Sequence, residues 1–213
     1  MSSLRLFALS WPVTALGPGN RLVLWVAGCG RNCPGCISPE MQPASAGREV
    51  PVPVLAERIL RIEAPLSGVT VSGGEPFDQA EPLAGLLEAL RETRPDWNAL
   101  LYTGYLLGEL EPREETAKLL RLVDILVDGP YRCDLPQTHP LAGSGNQRVH
   151  YLTDRGRTLR GAVESLPVGG MNYGLSEDGT LDMVIGVTSE EQRRNTPLRA
   201  APPGPCGEAP PRR

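Results

Sequence analysis

Cys29, Cys33 and Cys36 fall within eight residues of one another, in the run Gly28-Cys29-Gly-Arg-Asn-Cys33-Pro-Gly-Cys36. Thiolates are soft ligands that suit iron–sulfur clusters or zinc. A short loop with C-x3-C-x2-C spacing can wrap its sulfurs round one face of a cubane, and its glycines permit the tight, partly left-handed turns this demands. A [4Fe-4S] cubane held by three cysteines keeps one iron open to a ligand from outside the protein. An open position marks a catalytic rather than a structural metal site. Half of a structural zinc site is the rival, with Cys133 or His139 to complete it. Zinc sites, however, usually come as two close pairs, and no second C-x2-C exists in this chain.

Val69-Thr-Val-Ser-Gly73-Gly74-Glu75-Pro76 is the second segment with chemical capacity. Two glycines let the backbone come close to a ligand, Glu75 can hold a cationic amine or brace the loop, and Pro76 fixes the chain's exit. By itself such a segment reads equally as an ordinary turn into a helix. Thr103-Gly104 and Asp128-Gly129 each close a strand-like run with a polar residue and a glycine, which suits either a ligand contact or plain turn chemistry. Asn146, Gln147 and Arg148 can bind a cofactor, dock a partner or simply serve as loop polar groups.

These residues need a frame. Residues 21–27 form a continuous apolar run of strand length, as expected for a strand covered on both faces, and they lead straight into the cysteine loop. Further strands are predicted at residues 69–72, 99–103, 124–127 and 148–152. Between them, Leu55, Ile59 and Ile62 share one helix face, as do Leu83, Leu86, Leu87 and Leu90, with Asp78 and Glu81 spaced as a capping box. A third helix is predicted from residue 113 to 122. Strands alternating with helices imply βαβ units. The expected fold is therefore α/β, an incomplete TIM-like βα barrel with a mainly parallel, curved sheet. A hairpin is expected about Asp178-Gly179. From about residue 193 the chain turns rich in Pro, Arg and Ala, so the expected organisation is one domain over residues 1–192 and a disordered tail over 193–213.

Composition narrows the class. The chain has 213 residues, 40% of them hydrophobic, and 21 basic against 25 acidic side chains for a net charge of −4. That balance gives no electrostatic reason for nucleic acid or an anionic membrane as partner. The apolar runs are too short to span a bilayer, and the start lacks an apolar signal core, so the expected location is the cytoplasm. Five cysteines, an odd number that includes the distant Cys133 and Cys206, argue against a disulfide framework.

Cysteine loop and Gly-Gly-Glu-Pro turn together, each following a strand, resemble the radical S-adenosylmethionine superfamily. That resemblance implies Cys29, Cys33 and Cys36 as [4Fe-4S] ligands, with the open iron chelating the amino and carboxylate groups of S-adenosylmethionine. It also implies Gly73, Gly74 and Glu75, joined by Thr103 and Asp128, as cofactor contacts. Gly17-Pro-Gly-Asn-Arg21, Cys33-Pro-Gly-Cys36, Tyr102-Thr-Gly-Tyr105, Val127-Asp-Gly-Pro130 and Gly143-Ser-Gly-Asn-Gln-Arg148 look like the small glycyl-radical activating enzymes. Within these they most resemble the activating proteins of anaerobic ribonucleoside-triphosphate reductase. The implied reaction is reductive cleavage of S-adenosylmethionine to a 5′-deoxyadenosyl radical, which takes hydrogen from a glycine of a large partner enzyme. Anaerobic ribonucleotide reductase is the candidate partner, and a low-potential donor such as flavodoxin or ferredoxin is the expected electron source. Ile37-Ser-Pro-Glu40 departs from that branch, where an Asn or His–Asn is expected, and so does the Pro-rich tail. A radical enzyme acting on a small molecule or peptide, and a structural zinc or electron-carrier module, remain the alternatives.

Overall fold

The structure, a computed structural model, describes residues 2–175 and 181–187. Strands β1 (Ser3–Val13), β2 (Arg21–Val26), β3 (Arg48–Pro51), β4 (Gly68–Gly73), β5 (Asn98–Tyr102), β6 (Ile125–Asp128) and β7 (Arg148–Tyr151) form one seven-stranded sheet. Its order is β3-β1-β2-β4-β5-β6-β7. Helices α1 (Val52–Leu60), α2 (Ala80–Thr93), α3 (Leu107–Leu110), α4 (Glu114–Leu122), α5 (Asp154–Thr158) and α6 (Arg160–Glu164) lie between and after these strands. The pair β8 (Met171–Leu175) and β9 (Leu181–Gly186) runs antiparallel as a separate two-stranded sheet. The expected turn at Asp178-Gly179 and the tail from residue 193 lie outside the described residues.

The partial TIM-like barrel is corrected to an open, mixed sheet. Only β2, β4, β5 and β6 run parallel, while β1, β3 and β7 join antiparallel. Parallel winding needs a crossover after each strand, usually a helix. α1, α2 and the α3–α4 pair supply three such crossovers, but the stretch from β6 to β7 holds no helix and returns the chain antiparallel. At the other edge, β1 bonds both β2 and β3. It carries the short apolar run Leu6-Phe7-Ala8-Leu9, not predicted as a strand, and along much of its length the side chains are only half-buried.

The central strands fall where their apolar runs place them because both faces are covered. Leu22, Leu24 and Val26 point to the helices, packing with Leu55, Ile59, Leu83, Leu86, Leu87 and Leu90. Val23 and Trp25 point the other way, toward Met41, Ile185 of β9 and Val187 just after it. Asp78 and Glu81 do not form the expected capping box: α2 is led in by a 3-10 turn, Pro76–Gln79, whose Phe77 N–H is capped by the Glu75 carboxylate at 3.0 Å. At the end of β2 away from the cysteines, Arg21 is fully buried. Its guanidinium donates to Thr70 Oγ1, to Asn98 Oδ1 at 2.8 Å and to the Val69 carbonyl at 2.7 Å. Burial lowers its pKa to about 10. Among the described residues no helix is long and apolar enough to cross a membrane.

Candidate iron–sulfur and cofactor site

The cysteine loop begins where β2 ends. Gly28, at φ +97°, turns the chain, and its N–H donates to the Met41 carbonyl at 2.9 Å while Cys29 N–H donates to the Gln42 carbonyl at 2.9 Å. The second half of the loop folds on itself through Cys36 N–H to the Cys33 carbonyl at 3.2 Å, with Gly35 at φ +65°. All three thiols are free and half-buried. Burial pushes the Cys29 and Cys36 thiols above their usual range, and the charge of neighbouring thiols in the same loop adds to this. A metal would reverse that cost, because cations stabilise thiolates.

The Gly-Gly-Glu turn is laid directly on this loop. Gly74 N–H donates to the Val26 carbonyl at 2.7 Å and Glu75 N–H to the Gly28 carbonyl at 2.8 Å. A Cβ on Gly74 would lie 2.3 Å from that Gly28 oxygen, so only glycine permits the approach. Gly73, at φ +104°, is equally constrained, with the Val26 oxygen 2.5 Å from where its Cβ would be. The strand register explains the meeting: β2 and β4 run parallel with Val26 beside Gly73, so both chains leave the sheet at the same end.

Glu75 is 1% exposed and braces the turn. Its Oε1 accepts Phe77 N–H at 3.0 Å and the Thr103 hydroxyl at 2.8 Å, and its Oε2 accepts Gly104 N–H at 2.8 Å. Burial nonetheless raises its pKa to about 7, against the pull of those three donors. Thr103 is thus a link between the ends of β4 and β5. Asp128, also buried, accepts Leu107 N–H on Oδ2 at 2.7 Å. Its Oδ1 stands 3.1 Å from His150 Nε2 but makes no hydrogen bond within the chain. Asn146 and Gln147 prove to be loop clasps, donating to the carbonyls of Pro130 at 2.8 Å and Gly129 at 2.9 Å.

Several contributors were not singled out by sequence reasoning. Tyr105 stacks with the guanidiniums of Arg31, at 4.6 Å from the ring centre, and Arg113, at 4.4 Å. Its hydroxyl donates to Asp78 at 2.9 Å. This ties the cysteine loop, the Gly-Gly-Glu turn and the start of α4 together. Gln79 does similar work beneath the site, accepting Arg5 N–H at 2.7 Å and donating to the Ala27 carbonyl at 3.2 Å. Tyr105 is signalled by its place in Tyr102-Thr-Gly-Tyr105; Gln79 has no local signal.

The donor set fits a cluster. Among the described residues, no three His, Cys, Asp or Glu side chains converge as a single metal ion requires. Thiolates that each bind a different iron need no such convergence. Gly30, at the loop's exposed tip, has open space where a side chain would be, and three sulfurs leave a fourth iron without a ligand from the loop.

A family model described as "4Fe-4S single cluster domain" matches residues 15–150. The chain belongs to this family. Among its relatives, the anaerobic ribonucleoside-triphosphate reductase-activating protein of Vibrio cholerae is 33% identical over 148 residues, covering 64% of this chain and 91% of the relative. The protein of that name from Enterobacteria phage T4 is 30% identical over 141 residues, covering 65% of this chain and 88% of the relative. The one from Escherichia coli strain K12 is 30% identical over 145 residues, with 64% and 91% covered. All these matches leave about a third of this chain unpaired.

Proposed function

We propose that this 4Fe-4S family member holds its cluster on Cys29, Cys33 and Cys36, cleaves S-adenosylmethionine reductively and installs a glycyl radical on a partner, an anaerobic ribonucleoside-triphosphate reductase by likeness to its relatives. Residues 1–192 form the catalytic domain in this reading. The observation that carries it is the backbone contact between Gly74 and Gly28, which sets a side-chain-free turn against the start of the cysteine loop. A cluster held on these three cysteines would supply the electron for splitting the C5′–S bond of the sulfonium, giving methionine and a 5′-deoxyadenosyl radical to take hydrogen from the partner's glycine. The chain's own residues bind and orient. Gly73 and Gly74 bring bare backbone to the cofactor's amino end. Glu75 and Thr103 hold that backbone still, since both carboxylate oxygens are already engaged within the protein. Asp128, whose Oδ1 faces His150 Nε2 at 3.1 Å, serves as a cofactor contact. A low-potential flavodoxin or ferredoxin delivers the electron.

The test is anaerobic reconstitution, followed by dithionite and S-adenosylmethionine. The expected products are methionine and 5′-deoxyadenosine, with a glycine-centred EPR doublet when the reductase is added. Cys29→Ala, Cys33→Ala and Cys36→Ala each remove both the brown chromophore and the nucleoside. A colourless, zinc-loaded protein that releases no 5′-deoxyadenosine overturns the proposal; turnover without any doublet on the reductase overturns the assignment of the partner.

A further inference from the structure

Asp128 is gripped from two elements. It closes β6 at the end of the parallel strands where the cysteine loop and the Gly-Gly-Glu turn leave the sheet, and it is 3% exposed. Its Oδ2 accepts Leu107 N–H at 2.7 Å, at the start of α3. Its Oδ1 stands 3.1 Å from Nε2 of His150, on β7. The antiparallel register explains the approach. Asp128 lies opposite Arg148 and Leu126 opposite His150, so acid and imidazole are diagonal neighbours on one face of the sheet. Both atoms are buried, and neither makes a hydrogen bond elsewhere among the described residues. Two acceptors held 3.1 Å apart would repel, so the ring carries a hydrogen on Nε2. Beside the pair, Gly129 N–H donates to the Tyr105 carbonyl at 2.8 Å, which ties the end of β6 to the turn after Thr103.

We propose that His150 is a positioning residue for S-adenosylmethionine, acting through Asp128 by holding its carboxylate in the orientation that meets the cofactor. This rests on the cofactor reading given above. Leu107 N–H alone grips one oxygen and leaves the carboxylate free to turn about that bond. The second grip, from a different strand, fixes the carboxylate plane, so its remaining lone pairs point in one direction only. Without His150, Oδ1 is a buried oxygen facing no donor, and the carboxylate turns or admits water to satisfy it. Either response loosens the Leu107 bond and the segment that runs from Tyr105 into α3.

The experiment uses the anaerobically reconstituted full chain, with iron measured on each sample. His150→Phe keeps the bulk of the ring without a donor, and His150→Gln carries an amide N–H close to the place of Nε2. Amide hydrogen exchange of residues 105–110 is followed by mass spectrometry without cofactor, and S-adenosylmethionine binding by equilibrium dialysis without reductant. In His150→Phe the segment should exchange about tenfold faster and the dissociation constant should rise about tenfold, as for loss of one contact to a charged group. His150→Gln should stay close to wild type on both. In an Asp128→Ala background His150→Phe should weaken binding no further. Either readout unchanged in His150→Phe overturns the inference. So does His150→Gln behaving like His150→Phe, or an equal loss of affinity in both backgrounds. If circular dichroism shows His150→Phe unfolded, His150→Leu takes its place under the same criteria. Asp128→Ala that binds the cofactor as tightly as wild type refutes Asp128 as a contact, and the positioning role falls with it. The exchange measurement needs no cofactor, so it separates failure of the His150 grip from failure of the cofactor reading.

Discussion

Replacing Gly74 by Ala places a methyl group 2.3 Å from the Gly28 oxygen, 2.8 Å from its carbonyl carbon and 3.0 Å from its nitrogen. All three are backbone atoms, so no side-chain rotation relieves the clash. The turn must lift off the cysteine loop, giving up the bonds from Gly74 N–H and Glu75 N–H. Overpacking of this kind costs about 1–3 kcal/mol, and each lost backbone bond adds about 0.5–1.5 kcal/mol. The sum, about 2–6 kcal/mol, is a large part of the roughly 5–15 kcal/mol that holds a domain together. With a urea dependence near 2 kcal/mol per molar, the unfolding midpoint of the metal-free protein should fall by about 1 M or more. Gly30→Ala is the matched control, because nothing lies within 4 Å of its added carbon. It should be neutral or slightly stabilising, since Ala restricts the unfolded chain. Equal midpoints for Gly74→Ala and wild type in urea melts followed by circular dichroism would refute the close approach and the site geometry built on it.

Two further outcomes follow from the buried polar groups. Glu75 binds its proton more tightly folded, at about 7, than at the usual 4.5; the unfolding free energy should therefore fall as pH rises between those values, by about 3 kcal/mol at most, and level off above them. Urea melts from pH 4 to 8 should show that slope in wild type and not in Glu75→Gln, and equal slopes would count against it. Arg21→Met leaves Asn98 Oδ1 and the Val69 carbonyl without their guanidinium donor, so it should destabilise by about 3 kcal/mol or more. Arg21→Lys should recover only part of this, as one ammonium cannot span the same acceptors; full recovery by Lys in urea melts would show that charge alone is what Arg21 supplies.

The elements most legible in the sequence were those buried on both sides. Residues 21–26 and 98–102 became strands because their alternate side chains enter two different cores, and the resulting apolar runs 22–26 and 99–102 are visible without any partner; in 68–73 only Val69 and Val71 enter the core. The leucine stripe of α2 was legible for the same reason. β1 and β3 were not, because β1 is half-buried along most of its length and β3 is a short, largely exposed edge strand, so both draw their stability from pairing. The barrel expectation failed on both sides of the parallel strands, at the antiparallel β1 and β3 and at the helix-free return from β6 to β7. In the site, Glu75 could be read as an amine holder or a brace. Its partners, Thr103 and Gly104, come from another strand and no local pattern specifies them.

Ligand chemistry was thus written into the chain locally: three thiols at C-x3-C-x2-C spacing, and a turn of glycines able to approach a neighbour. Spacing along one loop needs no tertiary information, because a few residues of backbone limit how far the sulfurs can separate. The meeting of Gly74 with Gly28, the bracing of Glu75 from the next strand and the closing of the cysteine loop by the Gln42 carbonyl were decided by tertiary structure alone. Those contacts depend on the parallel register of β2 with β4 and of β4 with β5 and on the anchoring of Met41 in the core. Long-range packing sets both, and no local run of residues encodes either.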